Sequence, residues 1–291
     1  VSDKWYQGLK TNIIGIPLSN DAPPWQSSPP KPENQLSDLG RRGPFVDGFR
    51  DYVRDEDFAK LVEGKRVAYV CPSPHLRGLK MGEYIDSFDL VVRVNQAYDM
   101  PESDWEDYGS RTDILMNCLN IIKINALKAN MEYARSLKYI VCPMVSMWDI
   151  QRVNDFLDEV GTPWHNVSDG YLFKVFKEVG TTCNTGLMGV IDLLNYDLKE
   201  LYVTGMTFFN MNNFGEVYYN NYHNEALKNG NFKESSNKIP NFSDLRIDIH
   251  QQVPQIKYFH KMIYFHYGKT LTLDDYLEDN FKSTINKVKN K

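Results

Sequence analysis

The chain has 291 residues, 42% of them hydrophobic, with a net charge of -5 and a sequence pI near 5.7. That length can bury the core of one large α/β domain, and the lack of a basic excess argues against a general nucleic-acid binder. No apolar run reaches membrane-spanning length, the first residues VSDKWYQGLK lack a signal-peptide core, and the four cysteines form no C-x-x-C pair, so a reducing, cytoplasmic setting without a transmembrane segment is expected.

Residues 1–46 contain APPWQSSPPKPENQLSDLGRRGP, where prolines and short polar residues oppose regular pairing; an extended arm is expected there, ahead of an α/β domain over 47–291. Residues 50–62 carry apolar positions at helical spacing before Gly64. The acidic D-x-D of Asp55, Glu56 and Asp57 falls inside that helix, where surface charge is its expected role.

Residues 67–70 have the length and β-branched content of a buried strand, followed by the loop Cys71-Pro72-Ser73-Pro74-His75. Further strands are predicted over 90–94, ending at Asn95, and over 114–116, ending at Asn117. The spacing then predicts a helix over 121–137, a strand over 139–142 stopped by Pro143, and helices over 148–160 and 171–179. Thr181 and Thr182 lead through Asn184-Thr185-Gly186 into a helix over 187–194 and a strand over 201–204.

Residues 206–242 are rich in Asn and Tyr with little periodicity, and an active-site wall or lid is expected there. A helical pattern returns over 250–266 with a start or kink at Pro254, a short helix begins over 273–277, and the tail FKSTINKVKNK is expected to be a solvated, frayed end. The strand and helix rhythm predicts a single domain with a predominantly parallel central sheet flanked by helices on both faces. Polar residues stand where its strands stop, the edge at which open α/β sheets bind ligands.

At that edge Ser73 and His75 can meet a phosphate, with a proline-stiffened turn as the alternative; the Asn95 amide can orient ribose or phosphate, or satisfy its own turn. Thr182, Asn184, Thr185 and Gly186 can cradle a ligand at a helix start, or form an ordinary N-cap. Arg77 can pair with phosphate or, near Glu83 and Asp86, fasten its loop, the structural role being preferred; Arg93 and Arg111 read as internal organisers, close to Asp86, Asp89 and Asp113. The six histidines and four cysteines show no metal-ligand spacing, and no GxGxxG, G-x-S-x-G or Walker pattern is present.

Two long stretches also carry a family likeness. SPHLRGLKMGEYIDSFDLVVRVNQA with DYGSRTD resembles the large motif of the sialyltransferases, and GTTCNTGLMGVIDLLNYDLKELYVTGMTFF resembles their small motif. Glu216-Val217-Tyr218-Tyr219 resembles the third motif, with Val217 where His is usual. His250 to Gln255 resembles the very small motif, with Gln255 where an acidic residue is usual.

The resemblance implies a variant GT-A/Rossmann-like glycosyltransferase that takes a nucleotide sugar, CMP-sialic acid, and a glycan acceptor, inverts the anomeric centre and needs no metal or other cofactor. It implies donor binding by Ser73, His75, Asn95, Thr182, Asn184, Thr185 and Gly186, and places His250 as general base. Tyr218 and Tyr219 would then stabilise the departing phosphate, with His223 as a possible replacement for the histidine absent at Val217. Pro72 stands where the family has a nucleotide-contacting Asn, and Val67 and Tyr196 stand where it has a disulfide. A CMP-Kdo or other nonulosonate transferase is therefore an alternative, as is a noncatalytic carbohydrate-binding protein.

Overall fold

A computed structural model describes residues 54–95, 100–143, 150–167, 169–208 and 252–290. The expected N-terminal arm, residues 209–242 of the irregular region, and Val217, Tyr218, Tyr219, His223 and His250 lie outside the described residues.

Seven strands form one sheet: β1 Arg66–Val70, β2 Leu90–Val94, β3 Ile114–Met116, β4 Tyr139–Cys142, β5 Trp164–Asn166, β6 Glu200–Thr204 and β7 Leu271–Leu273. Their order is β5-β4-β3-β2-β1-β6-β7, and every pairing is parallel. A parallel sheet needs cover on both faces, which is why β2, Leu-Val-Val-Arg-Val, is buried along its whole length.

The helices are α1 Glu56–Val62, α2 Gly82–Asp86, α3 Trp105–Tyr108, α4 Ile121–Lys128, α5 Met131–Ser136, α6 Ile150–Val160, α7 Asp169–Val179, α8 Thr185–Leu193, α9 Gln252–His266, α10 Asp275–Asn280 and α11 Lys282–Lys289. Alternation along the strands divides the core. Val67 and Tyr69 of β1, with Tyr139 and Val141 of β4, face α1, α7, α8, α9 and the C-terminal helices. Ala68 and Val70 face α2 and α3, while Ile140 and Cys142 face α4, α5 and α6.

The chain steps outward from β1 to β5, then returns on the opposite side of β1 as β6 and β7. The reversal makes the β1/β6 boundary a topological switch point, where loops leave in opposite directions and open a crevice.

Several expectations change. The helix predicted over 121–137 breaks at Asn130, whose backbone leaves the helical region and whose side-chain amide donates to the Ala126 carbonyl at 2.9 Å. β5 and β7 were too short for period-based detection. The tail predicted to be frayed forms α11, which buries Ile285 in the core. Asp55 is not surface charge: it is buried and caps α1, accepting from the Asp57 and Phe58 N–H groups at 3.0 and 2.8 Å.

Candidate active site

At the switch point the β1 and β6 loops are in backbone contact. The Cys71 N–H donates to the Thr204 carbonyl at 2.9 Å, and a Cβ on Gly205 would lie 2.0 Å from the Cys71 carbonyl oxygen. Gly205 also has φ +73°, so approach and backbone conformation both require glycine there.

Helix α8 starts over this crevice. A Cβ on Gly186 would have Asn184 Oδ1 at 3.3 Å, Cys71 Sγ at 3.5 Å and Met206 Cε at 3.6 Å as its neighbours. The helix can lie this close because Gly189 has no side chain: a Cβ would fall 2.2 Å from the Tyr69 hydroxyl and 2.6 Å from Met116 Sδ. Tyr69 then donates to the Gly186 carbonyl at 2.8 Å, and burial pushes its phenol well above its ordinary pKa, keeping it a donor.

The start of α8 is ordered by two side chains. Asn184 caps it, accepting from the Leu187 N–H at 2.8 Å, and the Asn184 N–H donates to Gln255 Oε1 at 3.0 Å. Gln255, fully buried on α9, thus stands in for the usual acid as a neutral acceptor that docks the fourth motif onto the second. With Leu187 and Met188 N–H groups bonded to Asn184, the Thr185 and Gly186 N–H groups remain as donors at the positive end of the helix. The Thr185 hydroxyl hydrogen-bonds Cys118 at the end of β3, whose thiol is raised by burial. Thr182 precedes this start and is half-buried.

The loop after β1 is held from inside. Ser73 caps the short 3-10 helix Pro74–Leu76, and the Tyr108 hydroxyl donates to the Ser73 carbonyl at 2.8 Å. His75 Nδ1 lies 3.2 Å from Ser73 Oγ, and Nε2 lies 2.9 Å from Asp274 Oδ2. A carboxylate can only accept, so Nε2 carries a proton, and Nδ1 faces the Ser73 hydroxyl. Ser73 and His75 are 3% and 8% exposed, and Tyr276 stacks on the imidazole at 4.9 Å. These side chains therefore shape the loop from within.

Asn95, at the end of β2, has φ +59°, a conformation Asn tolerates better than most residues. Its N–H donates to the Met116 carbonyl at 2.9 Å, its carbonyl accepts from Asn117 Nδ2 at 3.3 Å, and its buried Oδ1 has no hydrogen-bond partner.

The arginines of the large motif organise its far half. Arg93 donates to the carbonyls of Tyr108, Gly109 and Arg111, each at 2.8 Å. Arg111 donates to the Asp86 and Phe88 carbonyls and to Asp113 Oδ2, at 2.7 to 2.8 Å. The loop around Arg77 is fastened by Asp107, which accepts from the Gly78 and Lys80 N–H groups at 2.7 and 2.9 Å, while Asp86 accepts from Ser110 and Arg111.

Sequence reasoning missed Asp274. Its only local signal is that of an N-cap, an Asp between the apolar Leu271-Thr272-Leu273 and a helix. Val67 and Tyr196, at the places of the family's disulfide, are both buried in the same core cluster. Among the described residues no group of three or more His, Cys, Asp and Glu could hold a metal ion, and no helix is long and apolar enough to cross a membrane.

The chain is similar to a mammalian sialyltransferase in complex with Gal-beta-1-3GalNAc-ortho-nitrophenol, at 15% identity over 94% of this chain and 86% of that one, with a TM-score of 0.49. It is similar to the sialyltransferase CstII from Campylobacter jejuni in complex with cytidine-5'-monophosphate, at 16% identity over 72% of this chain and 80% of that one, with a TM-score of 0.47. For CstII with CMP-3FNeuAc the values are 17% identity, 75% and 85% coverage, and a TM-score of 0.45. No curated protein matches the sequence. Residues 57–182 match the family model of glycosyltransferase family 29 (sialyltransferase). That stretch runs from α1 through the large motif to Thr182 at the approach to α8.

Proposed function

We propose that this sialyltransferase-like glycosyltransferase moves sialic acid from CMP-sialic acid to a glycan hydroxyl, with inversion and without a divalent cation. The observation that carries the reading is the start of α8, with Asn184, Thr185 and Gly186, placed over Cys71 and Met206 at the switch point. Backbone N–H groups at the positive end of a helix suit a phosphate whose negative charge grows as the glycosidic bond breaks. Asn95, whose buried amide oxygen lacks a hydrogen-bond partner, suits a nucleoside hydroxyl or amine donating to it.

In this proposal His250 removes the acceptor hydroxyl proton, and Tyr218 and Tyr219 stabilise the leaving phosphate, with His223 as the replacement base. A neutral imidazole fits the task because its ordinary pKa of about 6.5 leaves a proton-accepting fraction near neutrality. The test is transfer from a panel of CMP-linked donors to a panel of glycan acceptors, with and without EDTA. Turnover with CMP-sialic acid that survives EDTA is expected, and His250→Ala is expected to lower it about 10²-fold or more with CMP affinity retained. Turnover confined to a UDP- or GDP-sugar with added metal overturns the reading. Pro72, where the family has Asn, favours one second reading, a transferase for CMP-Kdo or another nonulosonate. The same donor panel separates the two.

A further inference from the structure

We propose that Asp274 is the positioning residue of the donor crevice, acting through Thr204 and Gly205 on one side and through His75 and Ser73 on the other; the proposal rests on the donor-binding reading above. One oxygen of this buried carboxylate, Oδ2, meets three donors: the Thr204 hydroxyl at 2.7 Å, the Gly205 N–H at 3.1 Å and His75 Nε2 at 2.9 Å. The other, Oδ1, accepts from the Leu277 N–H at 2.8 Å and caps α10. A helix cap requires only the second contact. The first three tie the ends of β1, β6 and β7 to a single atom at the switch point.

The chemistry of those contacts sets what the loops can offer a ligand. Gly205 is held where its missing side chain lets the β6 loop touch the Cys71 carbonyl, and Cys71 and Met206 in turn form the floor beneath Gly186. On the other side, Asp274 holds the imidazole through a protonated Nε2 and so sets Nδ1 against the Ser73 hydroxyl. The crevice floor is therefore set by a residue that lies 69 positions beyond Gly205 and outside all four motifs. An amide cannot replace it, because Asn presents either an acceptor to the three donors or an acceptor to Leu277, never both.

Steady-state transfer and CMP binding should be compared in the wild type, Asp274→Asn, Thr204→Val and Thr204→Ser. Thr204→Val keeps the side-chain shape and strand preference while deleting one donor, and the Gly205 N–H and His75 Nε2 still meet Asp274 Oδ2, so it is the milder of the two changes. Both Asp274→Asn and Thr204→Val are expected to raise the donor KM and the CMP Kd about tenfold, with acceptor KM unchanged and kcat moved less. Thr204→Ser, which restores the hydroxyl, should return donor KM to near the wild-type value. A purely structural role would lower the active fraction, and hence apparent kcat, without moving donor KM. If the wild type binds CMP and both Thr204→Val and Asp274→Asn keep donor KM within about twofold, the positioning role is wrong. A wild-type chain that binds neither CMP nor a CMP-linked sugar removes the donor reading itself, and the positioning role falls with it.

Discussion

The two halves of the site, the far half of the large motif and the crevice, use polar groups in opposite ways. In the far half, residues 77–113, charge is met by charge or by carbonyls: Arg93 closes on three carbonyls, and Arg111 spans Asp86, Phe88 and Asp113. At the crevice, the groups are caps, amides and glycines, and among the described residues the helix-start N–H groups of α8 and the buried Asn95 amide oxygen have hydrogen-bonding capacity left over. The difference teaches that a motif contains both the parts that bind and the parts that hold the binding parts still. The guanidinium groups of Arg93 and Arg111, obvious phosphate ligands by composition, belong here to the second kind.

The strongest way to break that division is Gly205→Ala. A Cβ placed 2.0 Å from a carbonyl oxygen at positive φ should cost more than about 3 kcal/mol and abolish donor binding together with stability. Urea unfolding and CMP titration would measure the two losses, and a stable, binding-competent variant would show that the loops do not need to touch. Arg93→Met comes next. It leaves three buried carbonyls without their donor and should destabilise by roughly 3 kcal/mol, while the surviving folded enzyme keeps its donor KM. A tenfold rise in donor KM would dissolve the distinction between the halves.

Asn184→Ala probes the crevice side with a smaller energy. Losing the cap should cost about 1 kcal/mol in denaturant midpoint, but donor KM should rise more than that loss of stability suggests, since the helix start is the proposed phosphate seat. The smallest effect lies outside both halves. Burial lowers the pKa of His260 and His266 on α9 from 6.5, so the unfolded chain binds their protons more readily than the folded one. Stability from this source is full above about pH 6.5 and is lost as pH falls through the lowered values. His266→Gln should flatten that part of the stability profile, read by thermal unfolding between pH 5 and 7.5.

Much of this arrangement was legible in the sequence because it is local. Val67 to Val70 and Leu90 to Val94 are uninterrupted apolar runs, and runs of that length ending in polar residues identify buried parallel strands. Asn184-Thr185-Gly186 before an apolar helix reads as a start, whatever it binds. The break at Asn130 was hidden by periodicity that continues across it, and Trp164 to Asn166 is too short to show any period.

The sequence by itself determined the parallel sheet, the polar strand ends, and Arg93 and Arg111 as organisers, since each follows from hydrophobic runs, from turn chemistry, or from charges within about 25 residues of one another. Only the tertiary structure decided which polar groups stay available at the crevice. His75 reads along the chain as a phosphate contact, yet Asp274, 199 residues away, claims one of its ring nitrogens. Gln255 reads as a weakened acid, yet it meets a backbone N–H 71 residues away and anchors the helix start. A hydrogen-bonding group has a fixed capacity, and what it can offer a ligand is what remains after its neighbours in space have been satisfied. Those neighbours are set by strand order, and the reversal between β1 and β6 brings distant segments to one edge of the sheet.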